Sequence, residues 1–169
     1  MSYTPKILVV DDDPTICYVM EQTLSPDGYE VRSGSSGREA LEFFAENTYD
    51  LVLLDIGLPD MDGFETMSHI HRKSPDTPII MMTGDATIES AVKALKSGAY
   101  YYLTKPFHIE ALRKTIVNAL DHKRLESHRK QSQKALRESE KRFRDLVENS
   151  LIGISIIQNN KIVYQNPEQ

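Results

Sequence analysis

The chain has a single cysteine, Cys17, so no intramolecular disulfide framework is open to it. That usage fits a reducing compartment, and the expected localisation is cytoplasmic. Long hydrophobic runs are missing as well. The longest, such as residues 7–10 and 51–54, fall far short of the ~20 apolar residues of a membrane-spanning helix. The first residues lack a basic stretch leading into an apolar core, so neither a secretory signal nor membrane insertion is expected. Glycine and proline are absent between Phe107 and Ile152, which removes the strongest helix breakers from that stretch. A large basic surface is also lacking. Residues 1–120 carry 18 Asp and Glu against 10 Lys and Arg, a net of −8, and residues 121–169 carry 7 against 10, a net of +3. Neutralising phosphates takes clustered cations, so no nucleic-acid partner is expected. The basic charges of the second part are interleaved with Glu, as on a solvated helix.

What is present is an alternation of short apolar runs and helix-period segments, in a chain long enough for one well-buried domain and part of another. Strands are expected at Lys6–Val10, 29–32, 51–54, 78–82 and Tyr101–Thr104. Between them the 3.6-residue period predicts helices from Pro14 to about Leu24, over Gly37–Glu46, 61–72 and 88–97, with Gly98 as the residue that ends the last. Asp13, directly before Pro14, reads as a helix N-cap. A fifth helix starts near His108 and runs to about Glu148. Its first turns carry Leu112, Ile116, Val117 and Leu120 at core-facing spacing. Its middle is polar, and Leu136, Phe143, Leu146 and Val147 then suit a short coiled-coil seam with a second chain. Two further strands, at residues 152–157 and 161–164, are joined by the hairpin signal Gln158-Asn159-Asn160. The expected division is 1–121 as a domain, 122–139 as a helical linker, and 140–169 as the start of a second domain.

Five apolar strands alternating with helices require a doubly wound α/β domain, a five-stranded parallel sheet with helices on both faces. Such sheets bind ligands outside the carboxyl ends of their strands. That rule gathers Asp11, Asp12, Asp55, Thr83 and Lys105. Three carboxylates brought within about 5 Å repel by roughly 3 kcal/mol per pair at an effective dielectric near 20. A hard divalent cation, Mg²⁺ in particular, relieves that repulsion and neutralises an incoming phosphoryl group. Lys105 adds positive charge, Thr83 offers a hydroxyl, and a carboxylate there can act as a nucleophile toward phosphorus.

The segments Val9-Val10-Asp11-Asp12, Leu54-Asp55-Ile56-Gly57-Leu58-Pro59-Asp60-Met61-Asp62-Gly63, Met82-Thr83-Gly84 and Leu103-Thr104-Lys105-Pro106-Phe107 resemble the receiver domains of two-component response regulators, over residues 5–121. The resemblance implies a flavodoxin-like fold with Asp55 as phosphoacceptor, served by a histidine kinase or phosphotransfer protein. It implies Mg²⁺ on Asp12, Asp55 and the backbone carbonyl of Gly57, with Asp11 acting through water, and Lys105 on the phosphoryl group. Thr83 and Tyr102 become a switch pair, Gly84 leaves room beside the acceptor, and Pro106 matches a cis proline. Gly57 and Asp85 lie where the family tunes dephosphorylation. Residues 142–150 and those after them resemble the opening of a PAS sensory domain.

Other readings of these residues are weaker. His69 and His71, two apart, do not share a helix face and read as surface. His128 lacks the acidic neighbour and downstream proline of a kinase phosphoacceptor helix, and Cys17 reads as packing. Alternation places Tyr100 and Tyr102 on one side of their strand. A Mg²⁺-dependent hydrolase using Asp55 would need a cap or specificity insertion, for which the short connections leave no room. A scaffold with a silent receiver would not need the acidic pair, acceptor, threonine and lysine together. The expected readout of phosphorylation is homodimer geometry along the long helix.

Overall fold

The computed structural model describes residues 3–84, 87–148, 155–158 and 161–165. The chain divides into two compact units, Met1–Arg124 and Leu125–Gln169. In the first, β1 (Lys6–Val10), β2 (Glu30–Gly34), β3 (Leu51–Asp55), β4 (Ile79–Thr83) and β5 (Tyr101–Thr104) form one sheet in the order β2-β1-β3-β4-β5. Every pairing is parallel. The connecting helices are α1 (Pro14–Leu24), α2 (Gly37–Glu46), α3 (Gly63–Lys73) and α4 (Ile88–Lys96), and α5 (Ile109–Glu148) follows β5.

The strand sequences explain this order. Strands covered on both faces need apolar residues at successive positions, and residues 7–10, 51–54 and 79–82 are all fully buried. Leu8, Val10, Val52, Leu54, Ile79 and Met81 meet α2, α3 and α4. Ile7, Val9, Leu51, Leu53, Ile80 and Met82 meet Met20 and Leu24 of α1 and Leu112, Ile116 and Ala119 of α5. Each such side chain contributes on the order of 2 kcal/mol through burial. The outer strands β2 and β5 carry exposed and half-buried positions instead.

The boundaries differ from expectation where caps and pairing decide them. Asp13 caps α1, its Oδ1 accepting from the Thr15 amide at 2.8 Å. α3 starts at Gly63 and leaves Met61 outside, because the Asp62 carboxylate accepts from the Phe64 amide at 2.8 Å and takes the N-cap position. At the end of α4, the Gly98 amide bonds the Leu95 carbonyl and the Ala99 amide bonds the Ala94 carbonyl, with Gly98 at φ 100°. This left-handed closure favours glycine. β2 shifts to Glu30–Gly34 to match the five positions of β1.

Tyr100 and Tyr102 do not share a side. Tyr102 packs with the α2–α4 layer, and Tyr100 with the α1–α5 layer against the His122 ring, at 5.7 Å between ring centroids. Tyr100 precedes the strand, so strand alternation does not reach it.

Two polar features at the other end of the sheet lead to stability predictions. Asp50 accepts from the Tyr3 hydroxyl (2.5 Å), the Lys6 amide (2.9 Å) and Lys123 Nζ (3.1 Å). Burial opposes its ionisation, but these donors outweigh it and hold the carboxyl below its usual range. A depressed carboxyl contributes stability that is present above the unfolded value near 3.9 and lost as pH falls through the folded one. The urea midpoint is therefore expected to fall more steeply below about pH 4 in the parent than in Asp50→Asn. Burial, then the Asp50 bond and charge, pushes Tyr3 up to about 12. Its contribution is present below pH ~10 and is lost as pH rises through the folded value.

The hydroxyl of Tyr49 is buried and has no hydrogen-bond partner among the described residues. An unsatisfied buried hydroxyl costs about 1–3 kcal/mol. Tyr49→Phe is expected to leave stability unchanged or raise it by roughly 1 kcal/mol, read from urea unfolding.

In the second unit, β6 (Ser155–Gln158) pairs antiparallel with β7 (Lys161–Gln165). Residues 149–154 and the connection Asn159-Asn160 lie outside the described residues. Leu125, Leu136, Phe143 and Leu146 are 59–74% exposed, whereas Val147 is buried. Val147 therefore leaves the expected seam. No helix among the described residues is long and apolar enough to cross a membrane.

Candidate functional site

Parallel pairing in register brings the carboxyl ends of the strands together. Val10 lies opposite Leu54, Asp55 opposite Met82, and Thr83 opposite Thr104. The residues at or just after those ends are Asp11, Asp55, Thr83 and Lys105. Asp11 is 1% exposed, Asp55 5% and Thr83 7%. Lys105 Nζ bridges the two carboxylates, 2.5 Å from Asp11 Oδ2 and 2.7 Å from Asp55 Oδ1. The remaining oxygens are also bonded: Asp11 Oδ1 accepts from the Asp13 amide at 3.1 Å and Asp55 Oδ2 from the Gly57 amide at 2.8 Å. The peptide bond between Lys105 and Pro106 is cis.

The expected gathering of three carboxylates is not what the structure shows. Asp12 is exposed, and among the described residues no group of three or more His, Cys, Asp or Glu could hold a metal ion. Asp11 is buried and Asp12 exposed, and the Lys105 ammonium takes the place between the two buried acids.

The electrostatics still suit a hard cation. Burial pushes the Asp11 carboxyl up, although the Lys105 hydrogen bond and charge pull it down. Burial opposes the Lys105 charge too, yet its bonds to Asp11 and Asp55 outweigh that and raise its pKa. One ammonium is shared by two acids, and the acid buried deeper remains incompletely compensated. Oxygen donors with a deficit of positive charge are what Mg²⁺ binds, with water completing its shell.

Thr83 and Tyr102 come from adjacent strands. Tyr102 is half-buried, and its hydroxyl lies 2.7 Å from Ser90 Oγ in α4. His69 and His71 lie on α3 away from these strand ends, with His69 Nε2 4.0 Å from Glu65, and His128 is exposed on α5. Cys17 Sγ donates to the Asp11 carbonyl at 3.3 Å, and burial raises its thiol pKa. Asp85 lies outside the described residues.

Three supporting residues were not singled out by spacing. Asp60 reaches back to α2, accepting from the Gly37 and Arg38 amides at 2.9 and 3.0 Å, and so ties down the loop after Asp55. Gly63 lies under the acceptor, where an added Cβ would meet the Asp55 carbonyl oxygen at 2.4 Å. Ser90 holds Tyr102. Asp60 and Gly63 stand inside a motif visible in the sequence; nothing in the sequence pairs Ser90 with Tyr102.

A doubly wound parallel sheet whose strand ends join two buried acids, a lysine and a threonine defines a phosphorylatable signalling fold. The comparisons make this specific. Residues 7–117 match the response regulator receiver domain model, and the chain belongs to that family. It is 44% identical over 119 residues to the transcriptional regulatory protein ZraR of Klebsiella oxytoca, covering 70% of this chain and 27% of that protein. To the response regulator protein PilR of Pseudomonas aeruginosa it is 38% identical over 115 residues, 68% of this chain and 26% of PilR. A CheY-like response regulator receiver domain from Methanospirillum hungatei JF-1 superposes with a TM-score of 0.71 at 36% identity, over 73% of this chain and 99% of that structure. The chain spans about a quarter of the length of the curated relatives it matches.

Proposed function

We propose that this receiver accepts a phosphoryl group on Asp55 from a phosphohistidine of a histidine kinase or phosphotransfer protein. An Asp55 carboxylate oxygen attacks phosphorus, the phosphorus–nitrogen bond to the donor breaks, and an acyl phosphate forms. The observation that carries this reading is the Lys105 bridge between Asp11 and Asp55, with the second Asp55 oxygen held by the Gly57 amide. It holds the acceptor oriented in a site that excludes most water. Asp12, Asp55 and the Gly57 carbonyl would hold Mg²⁺, with Asp11 acting through water. The ion supplies positive charge that neutralises phosphoryl oxygens. Lys105 contacts the incoming phosphoryl group, and Thr83 donates its hydroxyl to an oxygen of that group. Tyr102 follows the movement of Thr83 as its switch partner.

A protein donor is favoured by the surface beside Lys105. An open, largely apolar pocket of about 400 Å³ lies there, lined in part by Ile16, Val19, Pro106 and Phe107. The connections after β1, β3, β4 and β5 are residues 11–13, 56–62, 84–87 and 105–108. None is long enough to form the cap of a hydrolase with a foreign substrate.

The output side of the proposal rests on the long helix. Residues 1–121 act as the receiver, 122–139 as a linker, and 140–169 as the opening of a PAS-like domain, much of which lies outside the described residues. The exposed Leu125, Leu136, Phe143 and Leu146 support a homodimer along α5. The absence of a nucleic-acid partner is proposed only for the acidic receiver half, since relatives such as ZraR are transcriptional regulators.

The test is incubation with Mg²⁺ and acetyl phosphate, followed by intact mass and light scattering, with Asp55→Asn as control. One phosphoryl adduct in the parent and none in Asp55→Asn is the expected result. Modification that persists in Asp55→Asn, or no adduct at any Mg²⁺ concentration, would overturn the assignment. An adduct formed without any change in association would remove the dimer readout alone.

A further inference from the structure

Ser90 is the third residue of α4 and closes a reciprocal cap with Thr87. The Ser90 amide donates to Thr87 Oγ1 at 3.1 Å, and the Thr87 amide donates to Ser90 Oγ at 3.3 Å. Ser90 Oγ also lies 2.9 Å from Thr87 Oγ1, 2.9 Å from the Thr87 carbonyl oxygen and 2.7 Å from the Tyr102 hydroxyl. A serine hydroxyl has one proton to donate and two lone pairs to accept with. Among the described residues, four polar neighbours therefore compete for three places. If its proton goes to the Thr87 carbonyl, the Tyr102 hydroxyl and the two donors of Thr87 contend for two lone pairs.

We infer that Ser90 is a positioning residue for Tyr102, and that the first turn of α4 and the Tyr102 ring share one hydrogen-bond balance. The ring packs with the α2–α4 layer and is half-buried. While its hydroxyl occupies Ser90, one cap bond of α4 is weakened; when the ring turns away, the cap takes that bond back. Tyr102 lies one strand over from Thr83, so a rearrangement at the acceptor reaches α4 through a side chain pair without any backbone break. The helix so controlled carries Ile88, Val92 and Leu95, which are 84%, 43% and 55% exposed at one-face spacing. The inference rests on the switch role proposed for Tyr102, but the coupling itself can be read without any phosphodonor.

The experiment compares the parent with Ser90→Ala, Ser90→Thr, Tyr102→Phe and the Ser90→Ala/Tyr102→Phe double variant. Three readouts are taken: hydrogen exchange of the first-turn amides of α4, the ring NMR signal of labelled Tyr102, and the acetyl phosphate adduct. Ser90→Ala is expected to speed exchange of the Thr87 amide, which loses its acceptor, and of the first turn it closes, roughly threefold to tenfold, as for a lost cap. It should also move the Tyr102 signal toward its position with beryllofluoride, leaving adduct formation within about twofold of the parent. Ser90→Thr, which keeps a hydroxyl, should restore the Tyr102 signal. Tyr102→Phe should slow α4 exchange by itself, because the cap takes back the bond, and the double variant should depart from the product of the single effects. Independent effects, or a Tyr102 signal unmoved by Ser90→Ala, would overturn the inference. Failure of adduct formation throughout, with the coupling intact, would instead overturn the phosphoacceptor reading.

Discussion

Lys105→Met is expected to lower the unfolding free energy by about 3 kcal/mol in metal-free buffer, because it leaves two buried acids without their shared cation. Asp11 and Asp55 are 1% and 5% exposed, and Lys105 Nζ lies within 2.7 Å of both. Methionine keeps most of the side-chain volume, so packing loss contributes little and the deficit is electrostatic. Burial already pushes the Asp11 carboxyl up while Lys105 is present, and removing the ammonium drives it further in that direction. Mg²⁺ at the proposed site would bind the folded state and recover part of the loss by mass action. Adduct formation with acetyl phosphate should slow at least ~100-fold, the usual cost of losing a fixed charge at a transition state. Urea titrations with and without Mg²⁺ and intact mass read these effects. A variant as stable as the parent without Mg²⁺ would mean that the acids are relieved by some route other than this lysine.

The second large effect comes from the backbone beneath the acceptor. A Cβ at Gly63 would sit 2.4 Å from the Asp55 carbonyl oxygen and 2.8 Å from Ile56 Cα. Both are backbone atoms and cannot rotate away, and the Gly63 amide is bonded to the Ile56 carbonyl at 3.1 Å. Overpacking costs about 1–3 kcal/mol, and this site belongs at the upper end. Gly63→Ala is therefore expected to lower Tm by roughly 10 °C. It should also slow adduct formation by up to ~100-fold, since a shift of the order of 1 Å in a reacting group has that effect. Gly84→Ala is the control: a Cβ there meets nothing within 4 Å among the described residues, so Tm should stay within about 2 °C. A Gly63→Ala protein with parental Tm and rate would show that the loop after Asp55 yields easily.

Much of the fold was legible because its signals are local. Residues 7–10, 51–54 and 79–82 are apolar without alternation, which only a strand buried on both faces requires. Pro14 after Asp13, and Gly98 after α4, mark helix ends by their own backbone preferences. The boundaries that shifted answer to partners. Glu30–Gly34 is set by the five positions of β1, and Gly63 opens α3 because Asp62 bonds forward to Phe64. Tyr100 lies in the opposite layer from Tyr102 because it precedes β5, where the alternation of the strand does not apply.

The sequence by itself determined the class of the domain and the residues at its strand ends, because a parallel sheet places every βα junction on the same edge. The family motifs name Asp11, Asp55, Thr83 and Lys105 without any coordinates. Only the tertiary structure decided how they are arranged. The ammonium stands between two buried acids, Asp12 is exposed, Asp60 secures the neighbouring loop, and the Tyr102 hydroxyl meets the first turn of α4. Ser90 and Tyr102 are 12 residues apart. Their contact depends on how α4 settles on β5, through packing and competition for hydrogen bonds that no spacing in a single chain records.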